Sequence, residues 1–195
     1  MTKDRLLAFS DGVIAIIITI MVLELRPPEG HELADLLPLF LIFLSYILSF
    51  LYVAIYWNNH HHLLYLVKKI DGRIMWANMF LLFSLSLVPF ATAWLGESHF
   101  GKAPMLLYGV TLLLPAITYN VLQKTIFTID NPHHELLKQV QGGKKERLSI
   151  AFYALGIVLS IPLPLVAFML YSIVALMWAA PDKRIESLLS QVSDE

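Results

Sequence analysis

The stretch RLLAFSDGVIAIIITIMVLELRPPEG, residues 5–30, is an apolar run with a polar head. Arg5, Ser10 and Asp11 crowd its start, and Arg26-Pro27-Pro28 closes it. Between them, residues 6–25 are long enough to cross a bilayer: about 20 residues at about 1.5 Å each span about 30 Å of hydrocarbon. The charged start resembles a secretory signal, but the apolar run is too long, contains Ser10 and Asp11, and precedes no small-residue cleavage site. It is therefore expected in the mature protein. On a helical wheel, Gly12, Ile16, Thr19, Ile20 and Leu23 share one face, with Asp11 about 140° from Ile16 and Ser10 also turned away. One face is thus aliphatic with a single hydroxyl, and the other begins with hydrogen-bonding groups. Periodicity alone leaves open whether the aliphatic face meets lipid or protein.

The rest of the chain has the same character. Of its 195 residues 57% are hydrophobic and 15% charged, with no cysteine; soluble domains carry about a quarter charged residues. Disulfides, thiolate metal sites and a cysteine nucleophile are excluded, and a net charge of −1 offers no case for nucleic acid. Further spans are expected at about 36–57, 74–94, 105–127, 148–160 and 165–180. The break within the last apolar run falls at Ile161-Pro162-Leu163-Pro164. This predicts an all-α membrane protein: six transmembrane helices in one domain, 1–195, with a cytoplasmic loop over 128–147. Twelve of the 14 Lys and Arg fall on one side of that topology, leaving only Arg26 and Lys102 on the other. Both termini are therefore expected in the cytoplasm of a multi-pass cell-membrane protein.

The same topology brings Asn58, Asn59, His60, His61, His62 and Asn78 to the depth of Arg5, Ser10 and Asp11. Unpaired polar groups cost several kcal/mol in hydrocarbon, so a structural network is expected among Arg5, Ser10, Asp11, His60, His61 and Asn78. Helix capping by Ser10 or Asp11 is the simpler alternative. Enzyme motifs fail. In His133-His134-Glu135 the second ligand position of H-E-x-x-H holds Lys138, and consecutive His60–His62 splay too widely to chelate a metal. No metal, cofactor, nucleic acid or soluble protein partner is implied, and the chain is not expected to be an enzyme.

Arg5-x-x-x-Phe9-Ser10-Asp11 at the head of the first of six spans, followed by Gly12, Ile16, Thr19 and Leu23 and closed by Pro27, resembles the signature of the transmembrane protein 175 family of potassium channels. Asn78 and Pro89-Phe90 are similar to that family's third helix. The resemblance covers essentially the whole chain. It implies a homotetramer in the lipid bilayer whose first helices line a central pore, with potassium as the permeant ion. By position, Ile16, Ile20 and Leu23 match the pore constriction and Thr19 a hydroxyl layer; Ala15 stands where some members carry a serine or threonine. The implied function is a weakly to moderately potassium-selective channel. A competing reading is a proton- or ion-coupled secondary transporter using Asp11 and the cytoplasmic-side histidines.

Overall fold

The computed structural model describes residues 2–65, 67, 69–128 and 143–179. Most of the loop expected at 128–147, including His133 and His134, lies outside them, as does the segment from Ala180 onward. Among the described residues there are seven α-helices: α1 Lys3–Leu23, α2 Phe40–Tyr65, α3 Gly72–Ser86, α4 Val88–Glu97, α5 Lys102–Thr128, α6 Lys144–Leu159 and α7 Pro164–Ala179. Because α3 and α4 are two halves of one rod, six helical rods result.

Local chemistry explains the boundaries. Asp71 caps α3 by accepting from the Ile74 amide at 2.9 Å. The stretch expected as one helix over 74–94 is divided at Leu87. Pro89, in the first turn of α4, has no N–H to give and its ring crowds the carbonyl four residues back. Pro38 sits in a 3-10 turn, Leu33–Leu39, so α2 starts at Phe40 rather than 36. At its other end α2 runs to Tyr65 instead of stopping at 57, which places Asn58 to His62 on helix. Pro115 is accommodated inside α5, where the Thr118 hydroxyl bonds the Leu114 carbonyl at 3.0 Å. Residues 160–163 turn the chain between α6 and α7, with Pro164 at the first position of α7.

By length and composition, α1, the Leu33–Tyr65 stretch, the Gly72–Glu97 stretch and α5 can each cross a membrane. The helices α6 and α7 are shorter: 16 residues each reach about 24 Å. Two apolar clusters hold the rods together. The first joins Leu6, Ile14, Ile17 and Met21 of α1 to α2, α3 and the C-terminal part of α5. The second joins the α6–α7 hairpin to α2, α4 and the N-terminal part of α5. The break at Leu87 marks the passage from one to the other: α3 serves the first cluster and α4 mainly the second. Tyr171 of α7 fits only because two glycines face it. A Cβ on Gly109 would lie 2.0 Å from its hydroxyl, and one on Gly156 2.4 Å from its ring.

Candidate functional site

Helix α1 has two unlike faces. Leu6, Ser10, Ile14, Ile17 and Met21, spaced three and four apart, are buried. Opposite them, Phe9, Gly12, Ile16, Thr19, Ile20 and Leu23 are exposed, with Ile16 58% and Leu23 78% accessible. Nothing approaches within 4 Å of where a Cβ on Gly12 would be. The wheel face that carries Ile16 is thus uncovered along its whole length within one chain. Beyond Arg5 and Phe9 it stays aliphatic apart from Thr19, whereas the exposed face of α3 and α4 is aromatic, with Trp76, Phe80, Phe83, Phe90 and Trp94. The Thr19 hydroxyl donates to the Ile16 carbonyl at 2.9 Å, so its oxygen keeps its capacity to accept. A cleft of about 530 Å³ runs beside this face, between Val13, Ile16 and Ile20 of α1 and Pro89, Phe90 and Ala93 of α4.

The polar residues expected to cooperate fall into two groups. In the first, the Ser10 hydroxyl donates to the Leu6 carbonyl at 2.8 Å and accepts from the Asn78 amide at 2.9 Å. The Asn78 carbonyl oxygen lies 2.6 Å from His60 Nε2. All three side chains are fully buried, so α1, α3 and α2 are joined by one hydrogen-bonded chain. In the second group, Trp57 Nε1 donates to Asp11 at 3.0 Å, and His61 stacks obliquely near the same indole at 6.4 Å. Asp11 is therefore held by an indole, not by the histidines. Arg5 joins neither group and makes no side-chain bond among the described residues. At i−11 from Ile16 it shares that residue's exposed face. Lys3 instead ties the head of α1 to α2, through the Tyr65 carbonyl at 2.7 Å and the Tyr65 ring at 4.9 Å.

Trp57 lies at the same depth as Asp11 and belongs with the His, Asn and Trp donors that the sequence offers to Ser10 and Asp11; the structure pairs it with Asp11. A signal for the longer α2 was available: Trp57, His60, His61 and Leu64 recur at helical spacing, which continues α2 past residue 57. Among the described residues no three His, Cys, Asp or Glu side chains gather to hold a metal.

A family model described as the endosomal/lysosomal potassium channel TMEM175 matches residues 5–89. A potassium channel from Chryseobacterium sp. (strain P1-3) is 53% identical, the match covering 98% of this chain and 100% of the relative. A potassium channel from Chamaesiphon minutus is 35% identical over 65% of this chain and 66% of its own length. The crystal structure of a lysosomal potassium-selective channel TMEM175 homolog from Chamaesiphon minutus superimposes with a TM-score of 0.79 at 30% identity, covering 91% of this chain and 96% of that one. With full-length identity of this order and a shared helical fold, the chain belongs to the TMEM175 family.

Proposed function

We propose that this chain is a weakly to moderately potassium-selective ion channel. In this reading it is an integral protein of the cell membrane with six spans and both termini cytoplasmic, and four copies surround one axis. Helix α1 lines the pore, with Ile16, Ile20 and Leu23 as aliphatic layers and Thr19 as a hydroxyl layer. One observation carries the reading. The buried face of α1 is held by packing and by the Ser10–Asn78–His60 chain, while the Ile16 face stays exposed in a single chain. Relatives named as potassium channels support it.

A ring of four isoleucines closes a path by dewetting: water leaves a narrow apolar neck, and an ion does not follow without its shell. Potassium, being larger, holds that shell less tightly than sodium, so a tight neck favours it without providing ligands. The Thr19 lone pairs, presented one turn beyond Ile16, give a partly dehydrated cation an oxygen layer to reach.

The test is potassium flux in proteoliposomes. The wild-type protein should pass potassium down its gradient with no coupled ion. Ile16→Asn should wet the neck, raise the flux severalfold and narrow the preference for potassium over sodium. Unchanged flux and preference in a correctly assembled Ile16→Asn protein would remove Ile16 from the constriction. A second reading, the ion-coupled transporter, draws on the mid-rod break at Leu87, since carriers use interrupted helices at their binding sites. That reading requires flux to depend on a counter-ion or proton gradient, which the same vesicles measure.

A further inference from the structure

The α6–α7 hairpin leaves a cavity of about 50 Å³ against α2 and α5, lined by no residue of α1. A single water needs about 10–15 Å³ of such space, so the cavity accommodates about four non-hydrogen atoms. Its walls are aromatic. Tyr52 and Tyr56 come from α2, Tyr119 from α5, Tyr153 from α6 and Trp178 from α7. The rings meet across helix boundaries: Tyr56 lies edge to face with Tyr119 at 6.0 Å between centroids, and Tyr52 lies 6.3 Å from Tyr153. Trp178 Nε1 donates to the Ser149 hydroxyl at 2.8 Å, which fixes the indole.

The polar atoms on these walls are weighted toward acceptors. Asn120 spends an N–H on the Ala116 carbonyl at 2.8 Å, so its own side-chain oxygen remains available to accept. The Tyr119 hydroxyl donates to the Asn59 backbone carbonyl at 3.2 Å and keeps its capacity to accept. The Tyr56 hydroxyl and the Asn59 side-chain amide make no hydrogen bond among the described residues. Among the lining residues the charged side chain is a carboxylate, Glu146, in the first turn of α6. An ammonium ion already lies on the same wall: Lys145 Nζ sits over the Trp178 ring, 5.9 Å from its centroid. A ring face attracts a cation within about 6 Å, so the indole already takes up a primary alkylammonium belonging to the chain itself.

We propose that this cavity is a binding site for a primary alkylammonium group, held by the aromatic walls, the side-chain oxygens of Asn59 and Asn120 and the Glu146 carboxylate. Each part of the lining selects for that chemistry. Ring faces and a carboxylate attract a cation and repel an anion, and a neutral ligand of the same size gains from neither. A trimethylammonium group offers no N–H to the oxygens, so a primary ammonium is preferred. The group has two sources, a free amine or the ethanolamine headgroup of a membrane lipid. In the topology proposed above, Asn59, Asn120 and Glu146 lie at the depth of the inner-leaflet headgroups, within reach of both. Because its partners come from α2, α5, α6 and α7, a bound ammonium ties the hairpin to the rest of the bundle and stabilises the folded chain.

The experiment uses the full chain purified in detergent at neutral pH. Butylammonium chloride should raise its melting temperature along a saturable curve, by about 3–6 °C at about ten times the dissociation constant. Potassium chloride, n-butanol and butyltrimethylammonium at the same concentrations should have little effect. Glu146→Gln should weaken binding about tenfold, whereas Glu97→Gln, beside the opposite end of α2, should leave it unchanged. The wild-type protein gives a direct readout that needs no variant. An alkylamine bearing a photoreactive diazirine should label peptides containing Tyr56, Tyr153 or Trp178, and butylammonium should compete. Nanodiscs of phosphatidylglycerol with and without phosphatidylethanolamine separate the sources. A drop in labelling of about fivefold or more with phosphatidylethanolamine assigns the site to the lipid headgroup, and unchanged labelling assigns it to a free amine. Equal stabilisation by potassium chloride, n-butanol or the trimethylammonium compound would overturn the proposal. So would labelling confined to other helices, or undiminished binding by a folded Glu146→Gln protein. Absence of potassium flux would count against the channel reading alone, because melting and labelling do not depend on conduction.

Discussion

At the scale of single residues, two kinds of polar anchor act on the same helix. Ser10 sits in a fully buried chain whose bonds run from the Leu6 carbonyl to His60 Nε2, with His60 Nδ1 unpaired among the described residues. Asp11, one residue on, makes one bond to Trp57 near the surface. Their substitutions should therefore differ. Asn78→Ala leaves the Ser10 oxygen and His60 Nε2–H unpaired in a site closed to water, and an unsatisfied buried group costs about 1–3 kcal/mol. Asp11→Asn keeps an oxygen acceptor for Trp57, so it should lower stability by less than about 0.5 kcal/mol and leave potassium preference unchanged. Thermal melting of the purified variants at neutral pH separates the two. Equal destabilisation by both would mean that the Asp11–Trp57 contact matters as much as the buried chain.

At the scale of elements, the backbone chemistry of proline and glycine decides where rods break and how closely they approach. Pro89 splits the third rod, while Pro115 is absorbed in α5. The difference follows from packing: α5 runs on as one helix through its proline, whereas the third rod breaks where it passes from one apolar cluster to the other. The α6–α7 hairpin meets α5 through Tyr171, which lies over Gly109 and Gly156. Gly109→Ala puts a methyl group into a fully buried phenol and should destabilise by about 1–3 kcal/mol, as overpacking does. Gly12→Ala meets nothing within 4 Å in the protomer, so it should leave protomer stability unchanged or raise it by up to about 1 kcal/mol through better helix propensity. Chemical denaturation in detergent gives both values, and a neutral Gly109→Ala would show that Tyr171 has room to move.

At the scale of the whole molecule, a helix with one packed, hydrogen-bonded face and one exposed face is an incomplete interface. Four-fold packing would bring copies of Ile16 toward one another and keep Ile14, 1% exposed, inside its own protomer. The natural chain has no cysteine, so single cysteines report without background. Ile16→Cys should form disulfide-linked dimers under mild oxidant in the membrane, and Ile14→Cys should not. The reverse pattern, or no cross-link at either position, would place α1 away from the axis.

The amino-acid sequence by itself carried the helices, the two faces of α1 and the apolar turn at Ile161–Pro164, because hydrophobic periodicity and proline chemistry are properties of neighbouring residues. It also pointed to a polar network between the first helix and the ends of the second and third, since depth in a bilayer follows from counting residues. The break at Leu87 and the continuation of α2 to Tyr65 lay less openly in it, because a proline in an apolar run is either absorbed or expelled according to what packs around it. The pairing of the anchors was decided only by the tertiary structure. Asp11 meets Trp57, Ser10 meets Asn78, His60 turns inward while His61 turns out, and Arg5 remains apart. Partner choice between helices depends on their relative rotation and offset. Those are set by how the two apolar clusters close around α2 and α5, not by any local stretch of chain.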